Sequence, residues 1–375
     1  MNKNSFDVII IGGGLAGLLC SIDLHKRGFS VLVIEKKSYP LHKVCGEYIS
    51  NEVLPYLKRL GYNPSDSGAK EISRFMISSS NGASETCEME MGGFSLSRYK
   101  LDHDLFELAS SLGVELISNT AVTEISFNDD ESFEVKTVEK TYGSNVVIGA
   151  YGKRSNIDKG LGRDFFSKRT SYLGVKHHFK GEHEDDLVCL HNFDGGYCGV
   201  SKVENGLINI SYLITNDVLK RYKNINELEQ VHLSKNPFLK NIFENSTPVF
   251  EKPLVISQIN FGIKQTVEKH VLMIGDAAGM IHPLCGNGMA MAIHSTKLCS
   301  NQVSEFLSQK ISRKEMESRY RNVWDKAFKR RLKLGNLMQP LFGKGWTSNT
   351  ALRVIKILPS ILPKVVSLSH GAPIQ

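Results

Sequence analysis

The chain has no long apolar run, no CxxC pair and only two tryptophans among its 375 residues. Without a run of about 20 apolar residues there is no membrane-spanning helix to read. Seven cysteines without metal-ligand spacing exclude a zinc ribbon and a secreted disulfide framework. The first apolar stretch, Val8–Ile11, runs directly into Gly12-Gly13-Gly14. That pattern is a strand entering a turn, not a secretory signal, so a cytoplasmic protein is expected. The net charge of +7 is spread along the chain, and no basic patch with aromatic platforms precedes the C-terminal third. A nucleic-acid partner is therefore not expected. What remains, 41% hydrophobic and 23% charged residues, is the composition of a globular enzyme with two domains or one inserted into another.

Two regions carry α/β texture. Residues 6–11 form a β-branched strand, 15–27 carry apolar residues at helical spacing, and Val31–Ile34 form a second buried strand ending at Glu35. This is a βαβ unit. A helix is expected over 101–112, with strands at 114–117, 121–127, 133–138 and 145–150. From about 170 to 260 short alternating segments such as 207–213 indicate an antiparallel sheet, with 225–245 helical. Strand texture returns at 271–274, a helix follows from near Gly288 to about 309, and 313–375 is mainly helical. The fold class expected is α/β. It comprises a discontinuous Rossmann-like dinucleotide domain (1–75, 98–165 and 261–310), an inserted antiparallel-sheet substrate domain (76–97 and 166–260), and a helical C-terminal region (311–375).

The first βα turn is Gly12-Gly13-Gly14-Leu15-Ala16-Gly17, a GxGxxG. Gly12 permits the turn, Gly14 lets a pyrophosphate approach the backbone, and Gly17 allows close packing of helix on strand. The helix start at Leu15 and Ala16 offers free N–H groups to phosphate. Glu35, followed by Lys36, sits where a carboxylate accepts hydrogen bonds from a ribose diol, which favours FAD or NAD over NADP. A second segment, Gly275-Asp276 followed by Pro283, Gly286, Gly288 and Met289, selects FAD. The aspartate suits a ribityl hydroxyl. The turn into a helix suits the pyrimidine end of a flavin, where negative charge collects on reduction.

These motifs resemble the FAD-dependent group A monooxygenase superfamily, with the fold of para-hydroxybenzoate hydroxylase. The segments Lys43-Val44-Cys45-Gly46-Glu47 and Leu96-Ser97-Arg98-Tyr99-Lys100-Leu101-Asp102 resemble its geranylgeranyl reductase branch. The resemblance implies that Arg98 lies along FAD, that the backbone near Val122 flanks the adenine, and that Cys45, Gly46 and Cys285 lie beside the isoalloxazine ring. Cys45 and Cys285 are then either a redox-sensitive pair or two small buried residues. Where aromatic hydroxylases carry Asp-Gly, this chain has Tyr151-Gly152, which argues against a hydroxylase reduced directly by NADPH. The tryptophan-rich signature of flavin halogenases is absent.

Candidates for chemistry near the ring are Cys45, His282 and Tyr197, with Glu47 beside them. The C-terminal apolar residues Leu352, Ile355, Ile357, Leu358, Ile361, Leu362, Val365 and Val366 alternate with Arg353, Lys356 and Lys364. They fit a helix that covers a lipophilic tunnel, touches a membrane surface or packs on its own core. The expected function is an FAD-dependent oxidoreductase that reduces or desaturates carbon–carbon bonds of a polyprenyl- or polyene-like substrate by hydride transfer through flavin N5. NAD(P)H or another reductant would supply electrons. The alternatives are a monooxygenase acting on an aromatic or lipid-like precursor, and a non-catalytic flavin-binding partner protein. Oligomeric state is open.

Overall fold

The computed structural model describes residues 4–167, 172–259, 261, 264–280, 287–338 and 345–374. Two sheets organise them. In the first, the strands Val271–Met273, Thr141–Gly149, Ser5–Ile11, Val31–Ile34 and Glu115–Ile117 lie side by side and run parallel. Ile10 sits in register with both Val33 and Ile148. Val8, Ile9 and Ile10 are fully buried, as in a strand covered on both faces. A hairpin, Val122–Phe127 and Phe133–Thr137, adds to the Thr141–Gly149 strand. The helix Leu15–Lys26 is buried from Leu15 to Leu24, packed against Arg98–Leu112 and Gly288–Leu307. Its core position explains why it carries no polar face.

The second sheet has nine described strands and walls off the far side of the molecule. It is antiparallel except where Leu187–Phe193 runs parallel to Lys70–Ser78. The domain boundary expected at 75/76 falls inside the Lys70–Ser78 strand, and Tyr48–Ser50 also pairs into this sheet. The chain therefore enters the second sheet well before residue 76. Residues 225–245 are not one helix: the segment is broken at Asn236, which caps a fresh helix starting at Pro237. The helix expected from 101 begins at Arg98, capped by the Ser97 hydroxyl, which accepts from the Lys100 N–H at 3.1 Å. The C-terminal helices Gly345–Ile357 and Ile361–Ser369 lie against the second sheet, where Leu352 and Leu362 join a cluster with Ile77, Leu190, Tyr197 and Leu213.

Candidate active site

One cavity of about 1490 Å³ runs between the two sheets. Its first half is the glycine turn. Gly12 has φ +106, and a Cβ there would stand 2.6 Å from the Ala150 carbonyl oxygen. A Cβ on Gly14 would point at Lys43 Nζ, 3.2 Å away, and at an Arg98 guanidinium nitrogen, 3.7 Å away. Gly14 caps the first helix without any side-chain cap, so the first N–H groups stay open to the cavity. Gly17 does not line the cavity: it packs beneath the turn, where a Cβ would meet the Gly12 carbonyl oxygen at 2.0 Å. Gly17, grouped with the cofactor-binding glycines of the turn, thus serves the close packing of helix on strand and not direct cofactor contact.

Lys43 and Arg98 converge on one carboxylate. Lys43 Nζ donates to Asp102 Oδ2 at 2.7 Å, and Arg98 forks onto both Asp102 oxygens at 2.7 and 2.8 Å. Asp102 is fully buried; burial opposes its ionisation, but the two cations hold its carboxyl below the usual range. Lys43 was not read as a site residue, because a lone loop lysine looks like a surface charge in sequence. Glu35 anchors the turn, accepting from the Gly13 N–H at 2.7 Å and the Lys37 N–H at 3.0 Å. Lys36, Val122 and Ala16 line the same end of the cavity.

At the other end of this half, Gly275 has φ +59 and its N–H donates to Ser295 at 2.9 Å. Burial pushes the Asp276 carboxyl up, against the opposing pull of Lys264, Arg98, Lys153 and Lys43. Lys264, lowered to about 8 by burial, donates to the Asp276 and Lys153 carbonyls at 2.7 and 2.8 Å. Gly288 and Met289 open the next helix on the cavity wall, and its cap residue Asn287 makes no capping bond to it. His282, Pro283, Cys285 and Gly286 lie outside the described residues. Tyr151 lines the cavity, and its hydroxyl donates to Asp158 at 3.1 Å. Arg163 grips Asp158 at 2.8 Å and the Ala277 carbonyl at 3.0 Å, so this network braces the Gly275-Asp276 turn.

The second half is apolar. Phe75, Ile77, Leu190, Tyr197 and Leu213 come from the second sheet, and Ile355, Ile361, Leu362 and Val365 from the C-terminal helices. Cys45 and Gly46 stand where the halves meet. The Glu47 carboxylate is not free for acid–base work: it is fully buried and bound by Lys176, by His178 at 2.9 Å and by the Arg98 backbone N–H at 2.7 Å. Every Asp, Glu, Lys or Arg among the described lining residues lies in the stretches 35–47, 98–154 and 275–276. The sheet face and the C-terminal helices contribute none.

A family model for an FAD binding domain matches residues 5–179, and one for squalene epoxidase matches 239–328. Conditioned medium factor receptor 1 of Dictyostelium discoideum is 23% identical over 353 residues, spanning 86% of this chain and 68% of the relative. A digeranylgeranylglycerophospholipid reductase of Methanococcoides burtonii is 25% identical over 342 residues, spanning 87% and 81%. These matches make the chain similar to the FAD-dependent group A monooxygenase superfamily. Several of its sequence relatives are reductases of the geranylgeranyl type, which it resembles at 23–25% identity. The flavin-dependent brominase Bmp2 shares the fold, with a TM-score of 0.80 at 19% identity, over 99% of this chain and 94% of that one. The protein is an FAD-dependent oxidoreductase.

The cradle fits that cofactor. The open helix start, the bare Gly14 and the Lys43–Arg98 pair would take the diphosphate, Glu35 the adenosine ribose and Asp276 the ribityl chain. Bound FAD supplies electron and hydride transfer.

Proposed function

We propose that this oxidoreductase reduces or desaturates carbon–carbon bonds of a lipophilic, polyprenyl- or polyene-like substrate. The observation that carries this reading is the division of the cavity: among the described residues, every carboxylate, lysine and arginine that lines it lies in the stretches 35–47, 98–154 and 275–276. An uncharged hydrocarbon loses little on entering the apolar half, whereas a carboxylate or phosphate would find no lysine or arginine among the described residues there. The names of the methanogen reductases support an isoprenoid chain as substrate. NAD(P)H or another reductant is proposed as the electron donor. The test is anaerobic turnover of FAD-loaded protein with polyprenyl lipids and NADPH, NADH or dithionite, read by mass spectrometry. Gain of H2 per double bond with one two-electron equivalent of reductant consumed, or loss of H2 matched by reduction of oxidised FAD when no reductant is added, supports the reading; turnover only in air, with labelled oxygen in the product, overturns it. The match to the squalene epoxidase model favours that second outcome as the alternative, oxygen insertion into a similar hydrocarbon.

A lipid surface is the proposed source of such a substrate. Among the described residues no helix is long and apolar enough to cross a membrane. The C-terminal helices nevertheless expose Val354, Ile357, Leu358 and Leu368, with Ile357 76% exposed, beside the exposed cations Arg353, Lys356 and Lys364. Val354 also lines the cavity, so this face is continuous with the proposed substrate space. Sedimentation with anionic vesicles tests it: binding lost in Ile357→Glu supports the contact, and no binding by the parent protein overturns it.

A further inference from the structure

Behind the cavity wall, the second sheet meets the loop 45–47 through a buried charged cluster. Lys176 and His178 are two apart on the strand Tyr172–Lys180, so their side chains emerge on one face. Asn209 stands opposite His178 on the adjacent strand. Lys176 and Asn209 are fully buried, and His178 nearly so. These three side chains bind three consecutive loop residues. Asn209 Nδ2 donates to the Cys45 and Gly46 carbonyls at 3.3 and 2.9 Å. Lys176 and His178 each donate to the Glu47 carboxylate. Glu47 itself has φ +57, a left-handed conformation that favours glycine. Its carboxylate also receives the N–H of Arg98, the residue whose guanidinium faces Gly14.

A buried ion pair adds little net stability over an apolar pair of the same volume, because both charges lose their water. What it adds is direction, since only one loop geometry satisfies every partner. The geometry points to a positioning role: Lys176, His178 and Asn209 clamp residues 45–47, so the substrate sheet sets where this wall stands relative to the bound flavin. The clamp thereby joins substrate wall and cofactor cradle through one carboxylate. The flavin part rests on the reading that FAD lies against Cys45 and Gly46.

The test uses the full chain and two variants, Lys176→Met and Asn209→Leu, with iodoacetamide as probe and mass spectrometry to follow each cysteine. Cys45 is half-buried at the cavity, whereas Cys198 is fully buried in the sheet and Cys189, though it borders the cavity, is only 2% exposed, so the two serve as internal controls. In FAD-free protein, Lys176→Met leaves Glu47 buried without its cation, and Cys45 alkylation should rise about tenfold while the controls stay protected. The absorbance bands of bound flavin should shift in the same variant. Asn209→Leu, which keeps the ion pair, should give a smaller rise of the same sign, and carries the test if Lys176→Met fails to fold. Unchanged Cys45 reactivity in the folded variants overturns the clamp. So does a rise matched by Cys189 and Cys198, which would mean general loosening. If FAD does not slow Cys45 alkylation in the parent protein, the flavin placement falls, and the FAD-free variants still decide the clamp.

Discussion

Replacing Gly14 by alanine separates cofactor binding from stability. Gly14 has φ −82 and ψ −176, a conformation alanine adopts freely. Losing glycine's freedom in the unfolded chain stabilises by about 0.4–1 kcal/mol. Losing a good N-cap residue costs about 0.5–1 kcal/mol. The two nearly cancel, so stability should change by less than about 0.5 kcal/mol. Binding is different. The new methyl would stand 3.2 Å from Lys43 Nζ and displace that flexible ammonium from the place where a diphosphate would sit. A hydrogen bond to a charged group contributes about 1.5–3 kcal/mol, so the FAD Kd should rise about 10- to 150-fold. Titration of FAD-free protein by flavin fluorescence quenching, with urea unfolding alongside, measures both. Gly12→Ala and Gly17→Ala are the contrast. The first forces alanine to φ +106, and the second puts Cβ 2.0 Å from a backbone oxygen, so both should lose stability. A Gly14→Ala protein that binds FAD within twofold of the parent, or unfolds as easily as Gly17→Ala, refutes this account of the turn.

Further outcomes follow from the same geometry. Arg98→Gln should weaken FAD binding by about 1.5–3 kcal/mol, with the loss shrinking in high salt, as isothermal titration at two ionic strengths would show. The Asp102 carboxyl is depressed in the folded state, so its stabilising effect is complete above its unfolded value near 3.9 and is lost as pH falls through the folded value. The stability gap between parent and Asp102→Asn, measured by urea unfolding, should thus be constant from neutral pH to about 5 and close below about 4. Ile355→Trp narrows the apolar half and should raise the KM for a long polyprenyl substrate more than for a short one, with FAD affinity unchanged.

The nucleotide fold was readable because its strands are buried on both faces. Val8–Ile11, Val31–Ile34 and Val271–Met273 are continuous apolar runs with no competing reading. The strands Lys70–Ser78 and Ser84–Ser95 were less readable, since charged residues such as Glu71, Arg74, Glu88 and Glu90 interrupt them. The parallel partner of Lys70–Ser78 lies more than 100 residues downstream, a pairing no local pattern encodes. The glycine turn, Glu35 and Asp276 were legible as cavity residues because each sits at the end of a readable strand, whereas Arg98 came only through the family resemblance. Lys43, Lys176 and Asn209 were not, because a buried cation or amide looks like a surface one until a distant segment supplies its partner. Glu47 was legible as a residue near the cavity but not as one already neutralised by Lys176.

The fold does not choose the reaction, since a brominase shares it at a TM-score of 0.80. The choice must lie in what surrounds the cofactor. Tyr151 occupies the position where aromatic hydroxylases carry aspartate, and its hydroxyl is spent on Asp158 inside the Arg163 network. That position therefore braces the Gly275-Asp276 turn and offers no free carboxylate to an incoming nicotinamide. Among its described residues the other cavity half offers no lysine or arginine to a phenolate or carboxylate substrate. Both differences support the proposed reading, in which charged recognition serves the cofactor and the substrate is recognised mainly by shape and apolar surface. Such recognition is weak per methylene, about 0.8 kcal/mol, and gains strength only with length. A long hydrocarbon held between the sheet and the C-terminal helices meets that requirement, and a small polar aromatic does not.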